Sequence, residues 1–212
     1  EDFNTADRDG LGENWPIDYD EVAPWYDRTE KLIGVSGTNP GLEDTPASAD
    51  GVLQPPPKPR VYELLLKAVT DKMGIPAVPM RRAVITRDLG DRKACFYATG
   101  CGRGCSIGAA FQTTTSLLPW AQKTGNMKLV TDAMVKEVHV DENGQASGVT
   151  FVNRLTNEDT RVDADRVILA ASACETARLM LNSKSPLHAS GLANSSGQVG
   201  RNLMDSLGAD LG

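Results

Sequence analysis

Apolar and polar positions along this chain follow two different periods. In the first half they recur at helical spacing. Trp25, Leu32 and Ile33 continue a helix that Trp15–Tyr19 leads into and Gly34 ends, with Pro24 read as a first-turn residue. Val61, Leu64, Leu65, Ala68 and Val69 form a second such stripe, stopped by Gly74 and Pro76. Ser116–Lys123 reads as a short third helix, closed by Gly125. Between the first two helices, residues 36–59 carry Pro40, Pro46, Pro55, Pro56, Pro57 and Pro59, too many for a regular element. A loop of this length is a lid, a subunit arm or a disordered linker. Residues 77–89 read as extended, up to a turn at Gly90.

From residue 129 the period shortens to two. Residues 129–133, 135–140, 148–153 and 160–162 are predicted as four strands, with a hairpin turn at Asp141-Glu142-Asn143-Gly144. Val167-Ile168-Leu169-Ala170 then reads as a strand buried on both faces. Ser172 and Glu175 have the spacing of a capping box, opening a helix with Ala173, Ala177, Met180 and Leu181 on one face. A buried strand passing through small residues into a capped helix is how open α/β sheets edge a nucleotide crevice, with amide donors free at the helix start. An ordinary strand-to-helix connection has the same pattern, and the Gly-x-Gly-x-x-Gly turn is absent here. The fold class expected is α/β with some α+β character. A helical and loop segment, 1–127, contains the Pro-rich arm and a Cys-rich loop at 95–108. A sheet-forming segment, 128–212, follows it.

Composition narrows the functions. The 212 residues, 40% apolar and 24% charged, are ordinary for a globular protein. The net charge of -6 and the scattered basic residues give no nucleic-acid footprint. No apolar run reaches the length of a membrane span. The missing initiator Met, and a last stretch from Leu207 to Gly212 without a closing element, lead to the expectation of a piece of a longer protein.

Cys95, Cys101 and Cys105 give C-x5-C-x3-C, threaded with Gly100, Gly102, Gly104 and Gly108. Three thiols in a tight loop suit an iron–sulfur cluster, a disulfide or free thiols, and zinc would need a fourth ligand. Cys174 reads as a small core residue. His139 and His188 form no convincing acid/base pair, and no nucleophilic triad or phosphate-cradling Lys motif is present.

The segments Trp15–Arg28, Cys101–Ala110, Thr131–Val135, Leu169–Arg178 and Asn194–Asp205 together resemble the middle of a glucose–methanol–choline (GMC) oxidoreductase. That family comprises FAD-dependent sugar and alcohol dehydrogenases and oxidases. The branch most resembled is the bacterial gluconate, sorbitol and glucose dehydrogenase large subunits. The resemblance implies a fragment of a Rossmann-like FAD-binding domain with a β-meander insertion. It implies that Val135 meets the adenine of FAD through its backbone, and that Ala170, Ala171 and Ser172 line the FAD crevice. Gly200, Asn202 and Asp205 would form a turn returning towards the flavin, although Ser206 stands where the family commonly has His.

The activity implied is oxidation of a sugar, polyol or alcohol hydroxyl, with hydride passing to flavin and electrons to an acceptor other than NAD. A cytochrome or small subunit is the implied acceptor, at the outer face of a bacterial inner membrane. An iron–sulfur cluster on Cys95, Cys101 and Cys105 would favour a dehydrogenase over an oxidase. The glycine motif and the catalytic His of the family fall outside these residues, so the segment alone is expected to be inactive. The competing expectation is a non-catalytic electron-transfer or interaction module built around the Cys loop.

Overall fold

The computed structural model describes residues 3–42, 45–98 and 100–203. The chain divides into two compact units, Glu1–Met127 and Lys128–Gly212.

The first unit holds α1 (Thr5–Asp9), α2 (Tyr19–Ile33), α3 (Val61–Lys72) and α4 (Leu117–Lys123). A capping box opens α2: Glu21 N–H donates to Asp18 Oδ1 at 3.0 Å, and Asp18 N–H donates to Glu21 Oε2 at 3.0 Å. This box fixes the start at Tyr19, so Pro24 lies inside the helix rather than in its first turn, where it cannot supply the usual i→i−4 donor to the Asp20 carbonyl. Helix α3 spans the stripe read from the sequence, and its Val61 and Leu65 remain 74% and 65% exposed.

The Pro-rich arm is fastened to this unit at several points. Gly37 N–H donates to the Gln54 carbonyl at 3.0 Å, and Gln54 N–H to the Val35 carbonyl at 2.8 Å. Gln54 Oε1 accepts from the N–H groups of Thr86 and Arg87, at 2.7 and 2.9 Å. Asn39 and Ser48 exchange two further bonds. A disordered linker makes no such set, so that reading of residues 36–59 is set aside for the described part. Residues 77–89 form isolated bridges, Ser36 with Arg82 and Val84 with Ala110, instead of a continuous strand. The core gathers Ile85, Cys105 and Ala109, flanked by Val84, Leu89, Cys95, Ile107 and Ala110.

The second unit is an antiparallel meander, β1 (Ala133–Val140), β2 (Ala146–Asn153) and β3 (Asp159–Asp163), in the order β1-β2-β3, with α5 (Ser172–Asn182) against β1. The hairpin turn forms where Asn143-Gly144 predicts it: Asp141 Oδ1 accepts from Asn143 and Gln145 N–H. Val138 pairs with Val149 and Val135 with Phe151, and Val138 and Phe151 are buried. Leu179 of α5 completes this core. Ser183, just past α5, accepts from Val138 N–H at 2.8 Å and donates to the Leu179 carbonyl at 2.7 Å, tying the helix end to the strand.

Three expectations are corrected here. Residues 129–130 join no strand, because Asp132 turns the chain at φ +53° before β1 begins. Residues 167–170 pair with no strand among the described residues, and Ile168 is 90% exposed. An apolar run buried on both faces needs a ladder partner on each side, and the meander does not supply one. The Ser172–Glu175 box does not form either. Ala171 occupies the N-cap position, Ser172 is the first helical residue at φ +73°, and Glu175 pairs with Arg178 at 2.8 Å.

Candidate functional site: an alanine-lined recess beside helix α5

The start of α5 and the segment before it border a recess of about 540 Å³. Leu169 and Ala170 form one side; Ser172, Ala173, Thr176 and Ala177 supply the helix face; Met180 and Val199 close the far end. The helical repeat explains the wall, since 172/173, 176/177 and 180 fall on successive turns of one face. Alanine at 170, 173 and 177 leaves room that a longer side chain would fill. Thr176 Oγ1 accepts from Ala171 N–H at 3.2 Å, which takes over the role expected of Ser172 and Glu175. The Arg178 guanidinium holds the Glu175 carboxyl below its ordinary pKa.

The residues expected at a cofactor site fall into three groups. Ala170 and Ser172 line the recess and Ala171 caps its helix. Gly200 follows the lining residue Val199, where a Cβ would stand 3.2 Å from Leu181 Cδ1. Asn202, at φ +58°, donates from Nδ2 to Gln198 Oε1 at 3.0 Å. Val135 is half-buried on β1 opposite Phe151 and is not part of the lining. Asp205 lies outside the described residues. Thr176 and Val199 were missing from the expected set. The i+4 step from Ser172 signals Thr176, whereas nothing local marks Val199 except its neighbour Gly200.

In the first unit Cys105 is buried, Cys95 half-buried and Cys101 exposed, all as free thiols. Tyr97 N–H donates to Cys95 Sγ at 3.3 Å, and Ala110 N–H to Cys105 Sγ at 3.4 Å. Burial pushes the Cys105 thiol up, but the N–H groups of Ala110, Ile107, Ala109 and Gly108 together outweigh it and hold its pKa below the ordinary value. Among the described residues no group of three or more His, Cys, Asp or Glu is arranged to hold a metal ion. This conformation of the loop therefore does not fit a cluster. No helix among the described residues is long and apolar enough to cross a membrane.

The recess suits an extended, partly apolar ligand such as FAD: small residues give close approach, and Ser172 and Thr176 add hydroxyls at its edge. The chain is 34% identical to 2-methyl-1,2-propanediol dehydrogenase of Mycolicibacterium austroafricanum over 208 residues, 96% of this chain and 37% of that protein. It is 30% identical to the fructose dehydrogenase large subunit of Gluconobacter japonicus, over 99% of this chain and 38% of that one. It is 29% identical to 6'''-hydroxyparomomycin C oxidase of Streptomyces lividus, over 92% and 36%. The chain thus spans under two fifths of the length of these curated relatives. A family model described as GMC oxidoreductase matches residues 12–207, nearly the whole chain, and on that match the chain belongs to the GMC oxidoreductase family.

Proposed function

We propose that this segment forms one wall of the FAD site in an oxidoreductase acting on CH–OH groups of alcohols, polyols or sugars. The carrying observation is the alanine-lined recess at the start of α5, in a chain whose residues 12–207 match the family. When bound, FAD supplies the two-electron acceptor: the carbinol carbon gives up a hydride, the hydroxyl loses its proton to a base, and a C=O group forms.

The chain's own residues hold and orient. Ala170, Ala173 and Ala177 allow close approach along the wall, Met180 and Val199 keep its far end apolar, and the Ser172 and Thr176 hydroxyls border it. In this reading residues 167–170 become a strand of a Rossmann-like sheet in the whole protein, which would cover the exposed Ile168. Val135, Gly200, Asn202 and Asp205 belong to the same reading as adenine-side and flavin-side contacts. We assign no base in this segment. Of the two His, His139 Nε2 lies 2.6 Å from Thr150 Oγ1 on the meander, and His188 lies in a turn with Ser185; neither lines the recess. No electron relay is routed through the cysteine loop.

The names of the relatives span a diol, a ketose and an aminoglycoside, so the substrate class proposed is hydroxylated small molecules rather than one compound. The test is the absorbance spectrum of the complete protein, followed anaerobically as 2-methyl-1,2-propanediol, fructose and paromamine are added in turn. Flavin bands that bleach with a hydroxylated substrate support the proposal. Ala173→Leu, which fills the recess, should then purify folded with most of its flavin lost. A folded wild-type protein with no flavin, or an Ala173→Leu variant that keeps its flavin, overturns the proposal.

A further inference from the structure

We infer that Asn194 is a positioning residue that holds Val199 at the recess and so sets how tightly the flavin is retained. The inference rests on the proposed FAD wall. The segment from 188 to 200 wraps the C-terminal half of α5 without belonging to a helix or a strand. Its first leg is fixed by contact: Leu192 N–H donates to the Met180 carbonyl at 2.8 Å. Gly191, at φ +106°, runs so close to the helix that a Cβ there would stand 2.8 Å from Leu181 Cα. Its second leg returns Val199 to the lining beside Ala177 and Met180, with Gly200 approaching Leu181 and Ala177.

The Asn194 side chain bridges the two legs. Its Oδ1 accepts from Val199 N–H at 3.1 Å, and its Nδ2 donates to the Ser190 carbonyl at 2.9 Å. Its backbone carbonyl accepts from Gly197 N–H at 3.1 Å and from Ser190 Oγ at 3.3 Å. This position needs an acceptor and a donor on one short planar group, and among side chains of that length only Asn carries both. Without the acceptor, the Val199 amide loses its tether and the far end of the recess is no longer fixed.

The experiment uses the complete flavoprotein as wild type, Asn194→Ala and Asn194→Asp. Three quantities are read: the FAD dissociation constant on titrating the apoprotein, the melting temperature, and hydrogen exchange of the 195–200 amides. Asn194→Ala should raise the FAD dissociation constant by about five- to tenfold, the worth of one hydrogen bond, with faster exchange over 195–200. Asn194→Asp keeps the acceptor for Val199 N–H but loses the bond to the Ser190 carbonyl, so it should weaken FAD binding by about two- to threefold, less than Asn194→Ala. Equal affinity in all three proteins overturns the inference while leaving the FAD wall standing. Equal weakening in both variants also overturns it, since the loop would then matter only as a whole. A wild type that takes no flavin overturns the FAD wall and the inference together. Should Asn194→Ala not fold, Val199→Ala decides: it keeps the turn and shortens the lining side chain, so affinity must fall several-fold, and unchanged affinity overturns the inference.

Discussion

Arg92 donates from Nη1 to the carbonyl of Ile33 at 2.5 Å, joining the last residue of α2 to a side chain beside the cysteine-rich loop. The same guanidinium donates from Nε to the Gly108 carbonyl at 2.9 Å and from Nη2 to the Ala109 carbonyl at 3.0 Å. Arg92 is only 4% exposed, and burial pulls its pKa down, with the Cys105 sulfur opposing that fall. Three carbonyl dipoles therefore stand where a carboxylate is usually found. Arg92→Ala should cost roughly 2–4 kcal/mol, because it leaves buried acceptors without donors. Lys presents a point charge instead of a fork, so Arg92→Lys should recover less than half of that loss. Denaturant titration of the complete protein measures both, and a fully stable Arg92→Ala would show that the clamp is not needed.

Gly34 closes α2 at φ +77°, and a Cβ there would stand 2.3 Å from Ile85 Cγ2 and 2.9 Å from Leu89 Cδ2. Conformation and space act in the same direction at this position. Gly34→Ala should lower stability by about 2–3 kcal/mol, combining the left-handed backbone with overpacking of the core. A melting temperature within a degree of wild type would mean that the core around Ile85 yields.

Ile85 is fully buried at the centre of the first unit's small core. Ile85→Ala should therefore cost about 2–5 kcal/mol and Ile85→Val about 1 kcal/mol. The ratio is the informative quantity. Two equal losses would indicate that the Cδ1 methyl alone, not the total volume removed, is what the core requires.

Asp88 receives Lys93 Nζ at 2.7 Å and Ala94 N–H at 2.9 Å, and these hold its carboxyl below the ordinary 3.8, the Lys93 bond contributing most. A lowered folded-state pKa stabilises the fold fully above 3.8, and that contribution is lost as acid takes the pH through the lowered value. The gap in melting temperature between wild type and Asp88→Asn should be constant from neutrality to about pH 4 and shrink below it. A gap that persists at the acid end would show that the effect does not come from charge.

Local signals carried much of the architecture. The stripes of α2 and α3, the stop at Gly34, the Asn143-Gly144 hairpin and the meander all depend on neighbours close in sequence, and each is present. The errors lie where distant partners decide. Val167-Ile168-Leu169 reads as a buried strand, yet whether it pairs depends on strands that periodicity cannot locate. The box at Ser172–Glu175 lost to two competing partners, Thr176 for the Ala171 amide and Arg178 for the Glu175 carboxylate. In the recess, the helix face was legible from Ala173, Ala177 and Met180 at their spacing. Val199 was not, because the chain reaches it through an irregular turn held by the Asn194 side chain.

The bond from Gly37 N–H to the Gln54 carbonyl, 3.0 Å long, closes residues 38–53 of the Pro-rich arm into a loop. Between those feet Ser48 donates to Glu30 and Ala49 N–H to Asp27, both on α2, so a change of length is tolerated only at the exposed turn of Asp50 and Gly51. Doubling such a closed span costs only about 0.6 kcal/mol. Among homologous chains this is where insertions and deletions can accumulate without moving Ile85 or the cysteine loop. A peptide tag or a fluorophore site grafted between Asp50 and Gly51 would leave the remainder of the first unit undisturbed.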